Sequence, residues 1–116
     1  MSATIYHNPK CSKSRETLGL LEEHGIKPTI IEYLKSPPSA EKLKEILAQL
    51  EIAPRDLMRK KESVYAENKL GNPALSDEEL IDFMVQHPIL IERPIVLANG
   101  KAVIGRPPAQ VLEILS

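Results

Sequence analysis

The strongest constraint on the fold lies in the first 33 residues, where an apolar run, a helical stretch and a β-branched run follow one another. Residues 3–6 (ATIY) make a short apolar strand. Residues 12–24 set Leu18, Leu21 and the neighbouring Leu20 on one side of a helix, and Gly25 supplies a left-handed stop. Residues 29–33 (TIIEY) are rich in β-branched side chains and read as a second strand. Strand, helix and strand within about 30 residues form a βαβ unit, with parallel strands and a right-handed crossover.

The remainder adds to that unit. "KSPPSAEKL" opens a second helix with Ser39 as its cap, and Leu43, Ile46, Leu47 and Leu50 follow as an amphipathic stripe. Residues 54–91 carry no strand signal of similar strength. They offer a short helix near "PRDLMRKK" and another opened by "SDEE", where Ser76 and Glu79 have capping-box spacing ahead of Leu80, Phe83 and Met84. Residues 94–97 (PIVL), Asn99-Gly100 and 101–104 (KAVI) read as a hairpin, because both central turn positions favour positive φ. "RPPAQVLEIL" reads as a last helix with Pro107 or Pro108 in its first turn and Val111, Leu112 and Leu115 facing inward. The expectation is one α/β domain over residues 1–116. It has a mixed four-stranded sheet in thioredoxin-like (glutaredoxin-type) order, flanking helices, and a helical insertion at about 54–91 before the last β-hairpin.

Composition removes several classes of function. With three tyrosines, one phenylalanine and no tryptophan, the core is aliphatic and a base-stacking nucleic-acid platform is not expected. A formal net charge of -1 provides no field for a polyanion, so any bound anion falls to a few placed arginines. No segment has the apolar length of a membrane span, and the N-terminus lacks the basic-then-apolar pattern of a signal peptide. A cytoplasmic monomer is expected. The single cysteine, Cys11, fits a reducing compartment, and with three scattered histidines it leaves no metal-site spacing.

Cys11 sits in "HNPKCSKSRETL", just past a strand and at the start of a helix. The free N–H groups and dipole of such a first turn favour thiolate over thiol, and His7, Lys10, Lys13 and Arg15 add positive charge. A buried, inert cysteine is the alternative, but the polar and basic flanks argue for a reactive one. Ser14 stands where a dithiol site would carry its second sulfur. A hydroxyl does not exchange with sulfur, so any adduct on Cys11 must be resolved by an outside thiol, while Ser14 is expected to donate a hydrogen bond to the Cys11 thiolate from one helical turn away. Arginine suits tetrahedral oxyanions, and Arg59, Arg93 and Arg106 are the candidates for that role. Arg93 precedes Pro94 at the start of a strand, an X-Pro bond where a cis peptide is tolerated.

"YHNPKCSKSRETL", "MVQHPILIERPIV" and "GRPPAQVLEIL" together resemble the glutaredoxin-coupled arsenate reductase family, over essentially Thr4 to Leu115. The resemblance implies a thioredoxin-like fold with a helical insertion, and reduction of arsenate to arsenite through the Cys11 nucleophile. It implies glutathione as co-substrate rather than bound cofactor, with glutaredoxin clearing a protein–glutathione mixed disulfide. It further implies Arg59, Arg93 and Arg106 as oxyanion ligands, His7 and Ser14 as residues that tune the cysteine, and Pro94 as the cis-proline of a groove for the thiol partner. Ser12-Lys13 depart from the Gly-Thr that usually follows this cysteine, as in a sister branch of the family. Two other functions fit a lone cysteine on this fold: a monothiol glutathione-dependent disulfide oxidoreductase, and a redox-sensing transcription regulator, although the latter usually carries a second cysteine where Ser14 stands.

Overall fold

Residues 2–115 are described in a computed structural model of the chain. They form two units, residues 2–36 with 93–115, and Pro37–Glu92.

The first unit is built on a sheet whose strands are β1 (Ala3–His7), β2 (Thr29–Glu32), β3 (Ile95–Ala98) and β4 (Lys101–Ile104), in the order β2-β1-β3-β4. β1 and β2 are parallel, with His7 opposite Glu32. β3 runs antiparallel to β1, with Tyr6 opposite Ile95, and β4 antiparallel to β3, with Ile95 opposite Ile104. These directions bring four chain ends to one edge of the sheet: the ends of β1, β2 and β4 and the start of β3. Residues far apart in sequence, 8–11, 93–94 and 105–106, are thereby delivered to one place. The mixed sheet expected from the sequence is the one observed.

Helix α1 (Ser12–Glu23) crosses between the parallel strands and buries Ser14, Thr17 and Leu21 along one face. It ends as the glycine signal requires. Gly25 lies at φ 76°, its N–H donates to the Glu22 carbonyl at 3.0 Å, and the Ile26 N–H reaches the Leu21 carbonyl at 2.9 Å. This pair of bonds is a Schellman motif. The alternation of β1 sends Ala3 and Ile5 into a core with Leu21, Ile26, Val96, Ala98, Val111 and Ile114. The same alternation puts His7 on the side of Ile5. Asn99 and Gly100 turn the hairpin with φ 54° and 72°, the type I′ geometry that Asn-Gly favours.

The last element departs from the expected α-helix: residues Pro108–Ile114 form a 3-10 helix that follows a cis Arg106–Pro107 bond. Val111 and Ile114 are its buried residues, while Leu112 and Leu115 are half-buried. Three residues per turn superpose positions i and i+3, which picks 111 and 114 rather than the helical set of 111, 112 and 115.

The second unit contains α2 (Ala40–Leu50), α3 (Pro54–Leu57), α4 (Ser63–Glu67), α5 (Asp77–Gln86) and a 3-10 turn at Pro88–Leu90. It begins at Pro37, so it takes in α2 as well as the stretch expected to be inserted. Ser39 caps α2 by accepting from the Lys42 N–H at 3.1 Å, and Ser76 and Glu79 form the anticipated capping box on α5. Leu43, Ile46, Leu47, Leu57, Leu70, Leu80, Ile81, Met84, Leu90 and Ile91 are buried in this unit. Arg55 ties its irregular part together through the Tyr65 hydroxyl, the Leu70 carbonyl and the Asn72 carbonyl. α4 and the 3-10 turn carry no periodic apolar signal long enough to read from sequence. Among the described residues no helix is long and apolar enough to cross a membrane.

Candidate active site

β1 ends at His7, and the chain then turns through Asn8, Pro9 and Lys10 before α1 starts. Asn8 organises this turn. Its Oδ1 accepts the Lys10 N–H at 3.0 Å, its carbonyl accepts the Cys11 N–H at 3.0 Å, and its own N–H donates to Ser14 Oγ at 3.1 Å. Arg15 closes the loop from outside, donating from Nη1 to the Pro9 carbonyl at 2.9 Å. Asn8 is not among the residues named from the sequence. The signal was the Asn-Pro pair directly after a strand, since an Asn side chain that bonds backbone two residues on builds such a turn.

Cys11 is half-buried and occupies the N-cap position of α1, with extended backbone at φ -97° and ψ 122°. Its sulfur makes no capping hydrogen bond to the first turn. The group that meets it is Arg106, whose Nη2 lies 3.7 Å from Sγ. Arg106 is anchored by its Nε, which donates to the Arg93 carbonyl at 2.8 Å. A guanidinium fixed beside a sulfur places a planar fork of N–H donors there, the geometry that carboxylates and tetrahedral oxyanions accept.

Ser14 and His7 lie below the cysteine loop. Ser14 is fully buried, and its Oγ is 2.6 Å from His7 Nδ1 while also accepting from Asn8. His7 is only 6% exposed, and burial pushes its pKa below the usual imidazole value; the Arg15 charge adds to this effect and Glu32 opposes it. The ring is therefore neutral at neutral pH, and its tautomer decides what Ser14 does. With the proton on Nε2, the Ser14 hydroxyl donates to Nδ1. With the proton on Nδ1, the hydroxyl accepts from both His7 and Asn8, and its own proton is released for another acceptor. A cavity of about 280 Å³, lined by His7, Asn8, Pro9, Lys10, Glu32, Leu34 and Lys35, adjoins the same turn.

The sequence-named residues thus divide. Cys11 and Arg106 meet directly, His7 and Ser14 meet each other, and Arg93 joins through its backbone with Nε and Nη1 of its side chain buried. The Arg93–Pro94 bond is cis, and Pro94 is buried at the start of β3. Arg59 belongs to the second unit, where the Arg59 N–H donates to the Leu90 carbonyl at 2.7 Å beside an isolated bridge of Met58 with Ile91. Its guanidinium lies 3.5 Å from Glu62 and 3.7 Å from Glu92. The described residues contain no group of three or more His, Cys, Asp or Glu side chains able to hold a metal ion.

Known proteins resemble this chain in sequence and in fold. A sequence model described as the ArsC family matches residues 6–114. An uncharacterized protein of Escherichia coli K12, YfgD, is 56% identical over 112 residues, which covers 96% of this chain and 94% of that protein. An arsenate reductase of Rhizobium meliloti is 48% identical over 115 residues, covering 99% of this chain and 82% of that one. Among solved structures, an arsenate reductase from Vibrio cholerae superposes with a TM-score of 0.97 at 59% identity, over 99% of this chain and 98% of that one. Similarity of this extent, on a thioredoxin-like sheet with a lone cysteine under an arginine, makes the chain a member of the ArsC family.

Proposed function

We propose that the protein reduces arsenate to arsenite through a single cysteine nucleophile, with glutathione as co-substrate and glutaredoxin as the partner that regenerates the enzyme. The observation that carries this reading is the Arg106 guanidinium 3.7 Å from the Cys11 sulfur, because it pairs a nucleophile with a fixed anion ligand. The names of the relatives supply the arsenic.

The thiolate of Cys11 attacks arsenic(V) and forms an S–As bond as one arsenate oxygen leaves as water. Glutathione thiolate then attacks the Cys11 sulfur. An S–S bond forms, the S–As electron pair passes to arsenic, and arsenite departs as arsenic(III). Glutaredoxin exchanges its own thiol into the Cys11–glutathione disulfide and frees Cys11 for another turn. Ser14 cannot replace the external thiol, which accounts for the need for glutathione. Arg93 and Arg106 stabilise the negative oxygens, whereas Arg59 must exchange Glu62 and Glu92 for the anion before it contributes. His7 and Ser14 set the hydrogen bonding under the sulfur, and Pro94 borders the groove for the thiol partner.

The test is NADPH oxidation coupled through glutathione reductase, glutathione and glutaredoxin, with arsenate as the variable substrate. Cys11→Ser is expected to abolish arsenate-dependent turnover, and Arg106→Ala to raise the KM for arsenate at least tenfold. Absence of arsenate-dependent turnover alongside intact reduction of a glutathionylated peptide would reassign the protein as a monothiol disulfide oxidoreductase.

A further inference from the structure

Gly105 carries no chemistry, yet it is the most closely crowded of the glycines. A Cβ at this position would lie 2.6 Å from Thr17 Oγ1, 2.9 Å from Pro94 Cγ and 3.1 Å from Thr17 Cγ2. A contact below 3 Å forces a neighbour to shift, so only hydrogen fits there while its neighbours stay in place. Thr17 does not move aside cheaply. It is fully buried, its β-branched side chain has few rotamers, and its hydroxyl donates to the Lys13 carbonyl at 2.8 Å. On the other side, the Gly105 N–H donates to the Pro94 carbonyl at 2.9 Å, and the Arg106 N–H donates to the Ile104 carbonyl at 2.9 Å.

These contacts form a chain that ends at the sulfur. Thr17 stands two turns into the helix that begins at Cys11, Gly105 lies against it, and the next residue is Arg106. We propose that Thr17 and Gly105 are a pair of positioning residues: their close approach seats the backbone of 105–106 against α1 and so sets the distance from the Arg106 guanidinium to Cys11. A side chain at 105 lifts that backbone off the helix and withdraws the guanidinium, which remains charged but no longer lies over the sulfur. Neither residue touches the substrate. The proposal rests on Arg106 being the anion ligand, but its test does not need arsenate.

The readout is the alkylation rate of Cys11 with iodoacetate, which is anionic, divided by the rate with iodoacetamide, which is neutral. A guanidinium beside the sulfur favours the anionic reagent, whereas general loosening of the fold changes both rates together. Arg106→Ala defines the ratio without the guanidinium. Gly105→Ala is expected to lower the native ratio at least threefold. Thr17→Ala removes two of the three obstructing atoms, so the double variant Thr17→Ala/Gly105→Ala is expected to recover at least half of that loss. In the coupled arsenate assay the same order is expected in KM, with kcat moving less. A Gly105→Ala protein that folds and keeps the native ratio overturns the proposal, as does a double variant no better than Gly105→Ala. If Gly105→Ala does not fold but the double variant does, the steric pairing stands; if both fail to fold, it does not. A native protein without arsenate turnover but with the expected ratios leaves the pair in place and removes only the arsenic chemistry.

Discussion

Ser14 carries more than its place in a helix suggests. It is buried, it accepts the Asn8 N–H, and it bonds His7, so Ser14→Ala strands two polar groups at once. The expected cost is about 1–3 kcal/mol in urea unfolding, the penalty for leaving buried donors or acceptors unmade. His7 gives this network a pH dependence. Its folded-state pKa lies below its ordinary value of 6.5, so the folded protein binds fewer protons than the unfolded chain as the pH falls through that region. Stability is then fully present above about 6.5 and declines as His7 is forced to take a proton. Unfolding midpoints measured across this range are expected to fall less steeply for His7→Gln than for the native protein. The sequence placed His7 and Ser14 near the cysteine, but not the bond between them. Seven residues apart, they meet because strand alternation turns His7 toward α1 while the helix turns Ser14 toward the sheet.

Elements show the same division within a single helix. Gly19 and Gly25 both belong to the α1 segment, and a Cβ at either meets nothing within 4 Å. Their backbones differ, because Gly25 lies at φ 76° in the Schellman turn. Gly19→Ala is expected to stabilise by about 0.5–1 kcal/mol through helix propensity. Gly25→Ala is expected to destabilise by about 1–2 kcal/mol, the cost of a left-handed L-residue. Thermal unfolding of the two variants tests the opposed signs. The helix stop and the Asn-Gly hairpin were legible because each depends on the φ of one or two residues. The final 3-10 helix was not, since four apolar residues over a seven-residue element suit a period of 3.0 as well as 3.6. α4 was missed for a related reason: its five residues bury nothing, and Arg55 holds that part of the unit from outside it.

In the molecule as a whole, the central strands of the first unit come from opposite ends of the chain. β1 and β3 pair across some ninety residues, with Ile5 and Val96 facing each other and both fully buried. Their amides are expected to exchange with deuterium most slowly, close to the global unfolding limit, and those of the outer strands β2 and β4 faster. Exchange that is slowest in the second unit, with β1 and β3 opening first, would contradict this. The sequence by itself determined the βαβ start, the hairpin, the helix caps and a cysteine without a partner sulfur, because each is written in periodicity or in the φ of a few neighbouring residues. Tertiary structure alone decided that Arg106 meets Cys11, that Arg59 is held by two glutamates, and that Gly105 must be bare. The first and last depend on strand directions that bring residues 8–11, 93–94 and 105–106 together, and all three depend on side-chain distances of a few ångströms. No local pattern encodes such distances, since they emerge only when the packed core fixes where every backbone lies.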